Sequence, residues 1–356
     1  MDVSELQFRS VSTRLSKHFP CASHTLNLLA TTDFNKIINS SSSDVKGVHK
    51  RSFNRCTQLW SKCNRPKSAE IINAVLSANL LTPCITRWNS LYDSVKKLLE
   101  HKTNLPELCY RLKIPTILSD ELEYLEEYIK LMGPVAEAVD FLQGENTMYF
   151  GYFVPAIVSL RIKLMLLTNF KFLGEVSAKM QEALLKRFEK YFLIQPDSWD
   201  AIIAAISVPE IKLRFLKALL ETATTQAEDD VKKIFNNYVI KYGKVPDAET
   251  RILPQKPKSL FLDFGEESDD VSVQSVSGNY LQETILYLAE RDTTTNCFKT
   301  HTAIKNVFLK YNTPLPSSAP VERLFSFAGI VNRSRRQKLS DANFEMLVLR
   351  KANSGN

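Results

Sequence analysis

The sequence lacks any long uninterrupted run of apolar residues. Its most apolar window, residues 153–167, contains Arg161 and Lys163 and is shorter than the ~20 residues that a membrane-spanning helix needs. The first 19 residues also lack the apolar region of a secretory signal peptide. We therefore expect no membrane segment.

Paired cysteines are missing as well. The six cysteines, at positions 21, 56, 63, 84, 109 and 297, show no spacing typical of a disulfide framework. Cys21 and His24 would supply two zinc ligands, but a structural site needs four and no second Cys or His pair has suitable spacing. We expect reduced, intracellular thiols, no bound metal and no cofactor.

The chain has an ordinary globular balance, with 44% hydrophobic and 24% charged residues. Its net charge of +7 is unevenly distributed, because residues 1–120 carry 17 Lys and Arg against 9 Asp and Glu, and residues 293–356 carry 10 against 3. Two basic ends suit contacts with phosphate backbones, although solvated surfaces have the same composition.

Apolar residues recur at helical spacing along most of the chain, which predicts a mainly α fold. Gly133 and Pro134 are expected to kink or break the long helix that Ser119 begins. Residues 83–88, PCITRW, are short, β-branched and apolar, and predict the one clear strand. The acidic, Ser-rich composition of residues 246–279 predicts a mobile linker. Further helices are predicted at residues 21–39, 69–81, 91–100, 155–167, 176–192, 199–206, 209–222 and around 231–242.

Residues 303–352 predict three short amphipathic helices. Pro314 and Pro316 separate the first from the second, and Ser340 is the expected cap of the third. The apolar stripes are Ile304/Val307/Phe308/Tyr311, Val321/Leu324/Phe325/Ala328 and Phe344/Leu347/Val348. Three such stripes in about fifty residues cannot cover one another, so the segment must pack on something else.

Three stretches resemble one family. PLPSSAPVERLFSFAG followed by RRQKLS is similar to the C-terminal dimerisation region of hAT-type transposases, while CASHTLNL and TRWNS resemble that family's C-x-x-H helix and TRW motif. The resemblance covers nearly the whole chain from about Ser12. It implies the C-terminal part of an RNase H-like α/β core in residues 1–104, a large all-helical insertion in 105–245, a linker in 246–279 and a C-terminal helical dimerisation region in 280–356.

The same resemblance bears on catalysis. Transposases of this kind cut DNA with three carboxylates that bind two divalent metal ions, and Glu322 matches the third. The other two precede the C-x-x-H helix, yet only Asp2 and Glu5 are acidic before Cys21, in a stretch without a strand pattern. A lone Glu322 cannot hold two metals, so we expect no enzymatic activity. An active transposase completed by a missing N-terminal part is the least favoured interpretation.

Nucleic-acid contacts are implied for His24, Arg87 and Trp88. The family's TRW motif resembles a contact to a base taken out of the stack, and an indole face suits that role; the alternative is a Trp buried beside the strand. The basic residues Lys62, Arg65 and Lys67, and those at 333–338, would touch phosphates or serve in nuclear import. A nuclear DNA-binding or regulatory module is therefore the second interpretation, with the cytoplasm as the other location.

Self-association is the first interpretation. The resemblance implies a catalytically inactive, transposase-derived protein whose main activity is dimerisation, with a second copy of the chain as its partner. Phe344, Leu347 and Val348 are the expected interface residues, because the last helix is the one least enclosed by the rest of the chain.

Overall fold

Helices make up most of the structure, a computed structural model that describes residues 20–84, 89–144, 148–219, 225–243, 275–332 and 339–353. Within these ranges the fold is mainly α and contains no strand. The predicted strand has irregular backbone at Pro83 and Cys84, and its remaining residues lie outside the described part of the chain. None of the described helices is long and apolar enough to cross a membrane.

The helices before residue 145 surround one long member. A π-helical turn, Leu29–Asp33, joins the first two, and a 3₁₀ turn, Lys102–Asn104, precedes the sixth. The helices are α1 (Ala22–Leu28), α2 (Phe34–Ser40), α3 (Ser43–Cys63), α4 (Pro66–Leu76), α5 (Ser90–Leu99), α6 (Leu105–Leu112) and α7 (Ser119–Leu142).

The remaining helices include a short one at residues 199–207, of which residues 201–207 are all buried. Three further 3₁₀ turns lie at Phe150–Tyr152, Pro196–Ser198 and Thr295–Lys299. The helices are α8 (Phe153–Met165), α9 (Gly174–Arg187), α10 (Glu189–Phe192), α11 (Trp199–Ser207), α12 (Leu216–Leu219), α13 (Thr225–Tyr242), α14 (Ser275–Ala289), α15 (Thr302–Asn312), α16 (Ala319–Val331) and α17 (Asp341–Asn353).

Helix α7 runs unbroken through Pro134, so the predicted break at Gly133–Pro134 is wrong. A proline inside a helix costs about 3 kcal/mol through its missing hydrogen bond and its ring clash. Packing outweighs this cost, since α7 is covered by α1, α3, α5 and α8. Met132, Val135 and Val139 are all buried within one turn or so of the proline. Tertiary contacts on several faces therefore keep continuous a helix that local chemistry disfavours.

Helix α3 occupies the basic segment for which the sequence indicated no helix. Its buried residues are Val48, Ser52, Cys56, Leu59 and Trp60, a helical stripe in which serine and cysteine take two positions. Because small side chains take these two positions, the helical spacing of large apolar residues is not evident in the sequence. Ser42 caps the helix, because its Oγ accepts a hydrogen bond from Val45 N at 3.4 Å.

The helix predicted at 209–222 is also wrong. Residues 211–215 form turns, and only Leu216–Leu219 is helical before the end of the described range at residue 219. Lys212 has a left-handed φ of 48° and is buried, with Nζ donating to Glu290 O at 2.5 Å. That tertiary bond fixes a conformation incompatible with a continuous helix.

The linker predicted at residues 246–279 is wrong at its C-terminal end, because α14 begins at Ser275. Residues 246–274 lie outside the described ranges.

The buried amide of Asn312 joins three distant segments. Its Nδ2 donates to Ala204 O at 3.2 Å and to Ser207 Oγ at 3.0 Å, both in α11. Its Oδ1 accepts from Gly151 N at 2.7 Å. A Cβ at Gly151 would lie 2.5 Å from Ala204 O, so only glycine permits this close approach. The C-terminal α15 is thereby fixed to the predicted helical insertion.

The hydrophobic core continues across the predicted boundary at 104/105. Leu98 on one side and Leu105 and Leu108 on the other belong to the same buried cluster. Helix α7 packs against α1, α3 and α5 from the earlier segment. The division into four domains therefore remains a prediction. At the 104/105 boundary, residues from both sides pack in one core.

His49 lies half-buried in an aromatic cluster between α3 and α7. Its Nδ1 is 2.7 Å from the hydroxyl of Tyr124, and its ring lies 4.8 Å from that of Phe53 and 6.0 Å from that of Phe34 between centroids. Burial lowers the pKa of His49 to about 4. The folded protein therefore holds this imidazole neutral at a pH where a solvated one is charged.

Lowering the pH from 7.5 to 5 is expected to remove about 1–2 kcal/mol of stability through His49. The unfolded chain binds a proton near the ordinary pKa of ~6.5 while the folded chain resists it down to about 4. The contribution is therefore complete above the unfolded pKa and is lost as the pH falls through this window. Urea unfolding of the parent and of His49→Phe at both pH values measures it. Equal pH dependence in the two proteins would contradict the assignment.

Candidate functional site

The three segments that carry the family resemblance meet around the C-terminal half of α7. Helix α1 packs on α7 directly. Asn89, which follows the TRW residues, donates from Nδ2 to Ala136 O at 3.0 Å and to Asp140 Oδ1 at 2.8 Å. Arg323 of α16 donates from Nη2 to Gln143 O at 3.1 Å. Segments separated by up to about 300 residues thus share one neighbourhood.

Cys21 links the first of these segments to the last. Its Sγ accepts from His24 N at 3.3 Å, which makes it the N-cap of α1. The same Sγ lies 3.3 Å from both Ser318 N and Ser318 Oγ. Ala22 N also donates to Pro316 O at 2.9 Å. The C-terminal segment, which the sequence predicted to pack on another part of the chain, contacts the start of α1 in this way, and the thiol takes part in hydrogen bonding at a helix start.

Glu322 lies in the first turn of α16 and is exposed. Its Oε1 accepts from Ser318 Oγ at 2.6 Å. Ser318 is the residue before α16, so the pair holds the carboxylate at the helix start, where the helix dipole favours negative charge. Cys21, Ser318 and Glu322 form a hydrogen-bonded row that we call the junction.

A groove of ≈ 740 Å³ separates α16 from the body of the protein. Asp93, Asp140 and Gln143 line one wall, and Glu322 and Arg323 line the other. Burial raises the pKa of Asp140, opposed by the hydrogen bond from Asn89. Within the residues that the structure describes, no three His, Cys, Asp or Glu side chains form a group that could hold a metal ion. The described acids of the groove therefore do not fit the two-metal set implied by the resemblance.

The predicted nucleic-acid residues are only partly described. His24 is exposed on α1. Arg87 and Trp88 lie outside the described residues, but their flanks, Cys84 and Asn89, line a pocket of ≈ 320 Å³ together with Asn27 and others. The π-helical turn lies at this pocket; such turns are frequent at functional sites.

The C-terminal helices form a hairpin in which α16 packs chiefly on α17. The predicted interface residues Phe344, Leu347 and Val348 are half-buried in it. The apolar side chains that the hairpin leaves exposed are different ones: Val321, Phe325, Ile330, Met346 and Leu349. The helical spacing predicted the apolar stripes, but the contact between α16 and α17 decides which of their side chains remain exposed to solvent. An exposed apolar face of this kind is a typical protein-interaction surface.

No protein-family model and no curated protein matches this chain.

The junction is expected to order the start of α16. Replacing Ser318 with Ala removes the hydroxyl that bonds Glu322 and Cys21, and the loss of these side-chain hydrogen bonds costs about 0.5–2 kcal/mol. Hydrogen exchange of the α16 amides should accelerate by roughly 2- to 30-fold, because this energy is lost from local opening.

Ser326→Ala, at an exposed position of the same helix, is the matched control and should leave the exchange rates near those of the parent. Equal protection in Ser318→Ala and the parent would show that the junction does not hold α16.

Proposed function

We propose that this chain is a catalytically inactive, hAT-transposase-derived protein whose main activity is dimerisation through the α16–α17 hairpin. The observation that carries the proposal is the exposure of large apolar side chains there. Val321, Phe325 and Ile330 are 51%, 69% and 53% exposed, and Met346 and Leu349 are 57% and 52% exposed. Within α16, only Ala319 and Val331 are buried.

A second copy of the chain is the partner that the hairpin fits. The N-terminal part of α17 carries Asp341 and Glu345, and its last turn carries Arg350 and Lys351. Two α17 helices paired antiparallel across a two-fold axis place acids of each against bases of the other. The acids near the N-terminus and the bases near the C-terminus of α17 also interact favourably with the dipole of their own helix. A self-complementary charge pattern beside an apolar face supports a homodimer.

The energetics favour a weak dimer. Covering a half-exposed apolar side chain gains roughly 1 kcal/mol, so ten such side chains across two copies gain about 10 kcal/mol. Association costs ~4–15 kcal/mol of lost freedom. Because the two terms are of the same order, the pairing should depend on concentration in the micromolar range.

Phe344, Leu347 and Val348 remain the residues predicted from the sequence for the interface. In the hairpin they are half-buried, so they would support the interface from within while Met346 and Leu349 make the outer contacts. The two sets give separable variants.

Catalytic inactivity is proposed from the position of Glu322. Its carboxylate is hydrogen bonded to Ser318 at the start of a helix, which supplies a structural role that needs neither metal nor substrate. Asp93 and Asp140 face it across a wide groove, and neither is bonded to it.

Leu349→Asp is expected to convert the dimer to a folded monomer, because it places a charge on the open apolar face. Sedimentation equilibrium at 5–100 µM should show the change, with at least a tenfold weaker Kd. Leu309→Asp is the matched control, since Leu309 is 53% exposed on α15, outside the hairpin, and this variant should dimerise as the parent does.

Leu347→Asp separates the two sets of residues. Loss of helix content or of thermal stability in this variant would place Leu347 inside the hairpin, whereas a folded monomer would place it at the interface. A parent chain that is monomeric at 100 µM would refute the dimerisation proposal.

The alternative function is DNA binding through His24, Arg87 and Trp88. It rests on the resemblance and on the exposure of His24. Arg87→Ala and Trp88→Ala should each weaken binding to a labelled DNA fragment in a fluorescence anisotropy titration, and affinity should fall as salt rises. Binding that is unchanged in both variants would remove this alternative.

A further inference from the structure

Three tyrosines and two lysines form a surface patch where α13 meets α15. Tyr238 and Tyr242 come from α13, and Tyr311 from α15. Their ring centroids are 6.0 Å apart for Tyr238–Tyr242, 5.7 Å for Tyr238–Tyr311 and 5.9 Å for Tyr242–Tyr311. All three rings are half-buried, so each keeps part of its surface open to solvent. Together with Lys241 and Lys310 they are called the Tyr–Lys patch below.

Two ammonium groups stand over these rings. Lys310 Nζ is 4.1 Å from the ring centroid of Tyr242 and 5.9 Å from that of Tyr311, and Lys241 Nζ is 5.1 Å from that of Tyr242. Both lysines are exposed, and neither forms a salt bridge with a carboxylate of the described residues. The nearby Lys232 and Lys233, by contrast, pair with acids of their own helix. The patch therefore carries the positive charge of two lysines, and Asp200 of α11 places a carboxylate near enough to act on Tyr311.

The ionisation of the tyrosines reflects this charge. The hydrogen bond from Lys241 lowers the pKa of Tyr242, and Lys310 acts in the same direction. Burial raises the pKa of Tyr311. The phenol nearest the two lysines is thus the one whose negative form is stabilised, as expected for a place that attracts anions.

The two helices beneath the patch are closely packed at Gly243. Asn306 of α15 donates from Nδ2 to Gly243 O at 3.0 Å, directly after the end of α13. A Cβ at Gly243 would lie 2.5 Å from Val239 O and 2.7 Å from Ala303 Cβ, so the chain passes too closely for any residue but glycine. This contact sets the position of the two helices, and with them the three rings, relative to each other before any ligand arrives, which lowers the entropic cost of binding.

We propose that the Tyr–Lys patch binds single-stranded nucleic acid, with bases stacking on the tyrosine rings and phosphates meeting Lys241 and Lys310. Aromatic faces accept any base, and exposed lysines attract the backbone, which together give sequence-tolerant single-strand binding. This activity is separate from dimerisation and shares no residue with His24, Arg87 and Trp88.

A single strand fits better than a duplex. The rings are inclined to one another by 51°, 59° and 75°, and their spacing exceeds the ~3.4 Å rise of stacked bases. A regular stack cannot lie on such a surface, whereas separated bases can each meet a different ring. A duplex offers its phosphates but keeps its base faces hidden.

The experiment is a fluorescence anisotropy titration of the full chain with a labelled 12-residue oligothymidylate at 50 and 200 mM salt. The parent should bind the oligomer at least tenfold more tightly than an abasic strand of equal length. Lys310→Ala should weaken binding and reduce the slope of log Kd against log salt by about 0.7, the value for one phosphate contact in a single strand. Lys305→Ala removes the same charge from an exposed position of α15 and should change Kd less than twofold.

Two substitutions of Tyr242 distinguish the contribution of its ring from that of its hydroxyl. Tyr242→Phe keeps the ring and should bind within about twofold of the parent, whereas Tyr242→Ser should bind roughly tenfold more weakly, the size of one base–aromatic contact. Circular dichroism melts show whether Tyr242→Ser is folded; if it is not, Lys310→Ala and Tyr242→Phe still decide the matter.

Three results would overturn the proposal. Equal affinity for the abasic strand would mean that no base stacks on the rings. Equal affinity for a polyglutamate of the same charge would identify an acidic-protein surface instead. Binding that is the same in Lys310→Ala and the parent would place the nucleic-acid site elsewhere on the chain.

Discussion

The rest of the structure depends on the satisfied buried amide of Asn312. A polar side chain in an apolar interior is tolerated only when its donors and acceptor are all used, and here the bonds reach α11 and the start of the turn at Gly151. Because residues 201–207 of α11 are buried on all sides, this amide determines how α15 lies on that helix. The position of α15 in turn sets the positions of Tyr311 and Lys310 in the Tyr–Lys patch and of the chain that leads into the C-terminal hairpin.

A second buried polar group does the same for the earlier helices. Glu127 of α7 is 8% exposed, and its carboxylate accepts from the backbone amides of Lys171, Phe172 and Leu173. These amides precede α9, whose first turns would otherwise leave them without partners. The charge of Glu127 is thus held by three donors, and α9 is oriented against α7 by a bond that apolar packing alone would not specify.

The proposed functions occupy surfaces that these two anchors leave uncovered. The hairpin contacts the body through the junction at Cys21 and Ser318 and through Arg323, and five large apolar side chains of its α16 and α17 remain exposed among the described residues. The Tyr–Lys patch, by contrast, lies on α13 and α15, which are in close contact at Gly243 and Asn306. An exposed apolar face suits pairing with another chain, and a charged aromatic face suits a flexible polyanion.

Sequence by itself determined the helical character of the chain, because a period of 3.6 is a local property that survives without knowledge of the fold. It also predicted three short helices at residues 303–352 that must pack on another part of the chain. It missed α3, where Ser52 and Cys56 interrupt the apolar period, and it misjudged Pro134 and the residues around Lys212. Only the tertiary structure decided these points, since burial around α7 and a hydrogen bond from Lys212 to Glu290 O outweigh local preference. The candidate surfaces follow the same division: the sequence contained the apolar stripes and the tyrosines, but which side chains remain exposed depends on the neighbours that folding brings to them.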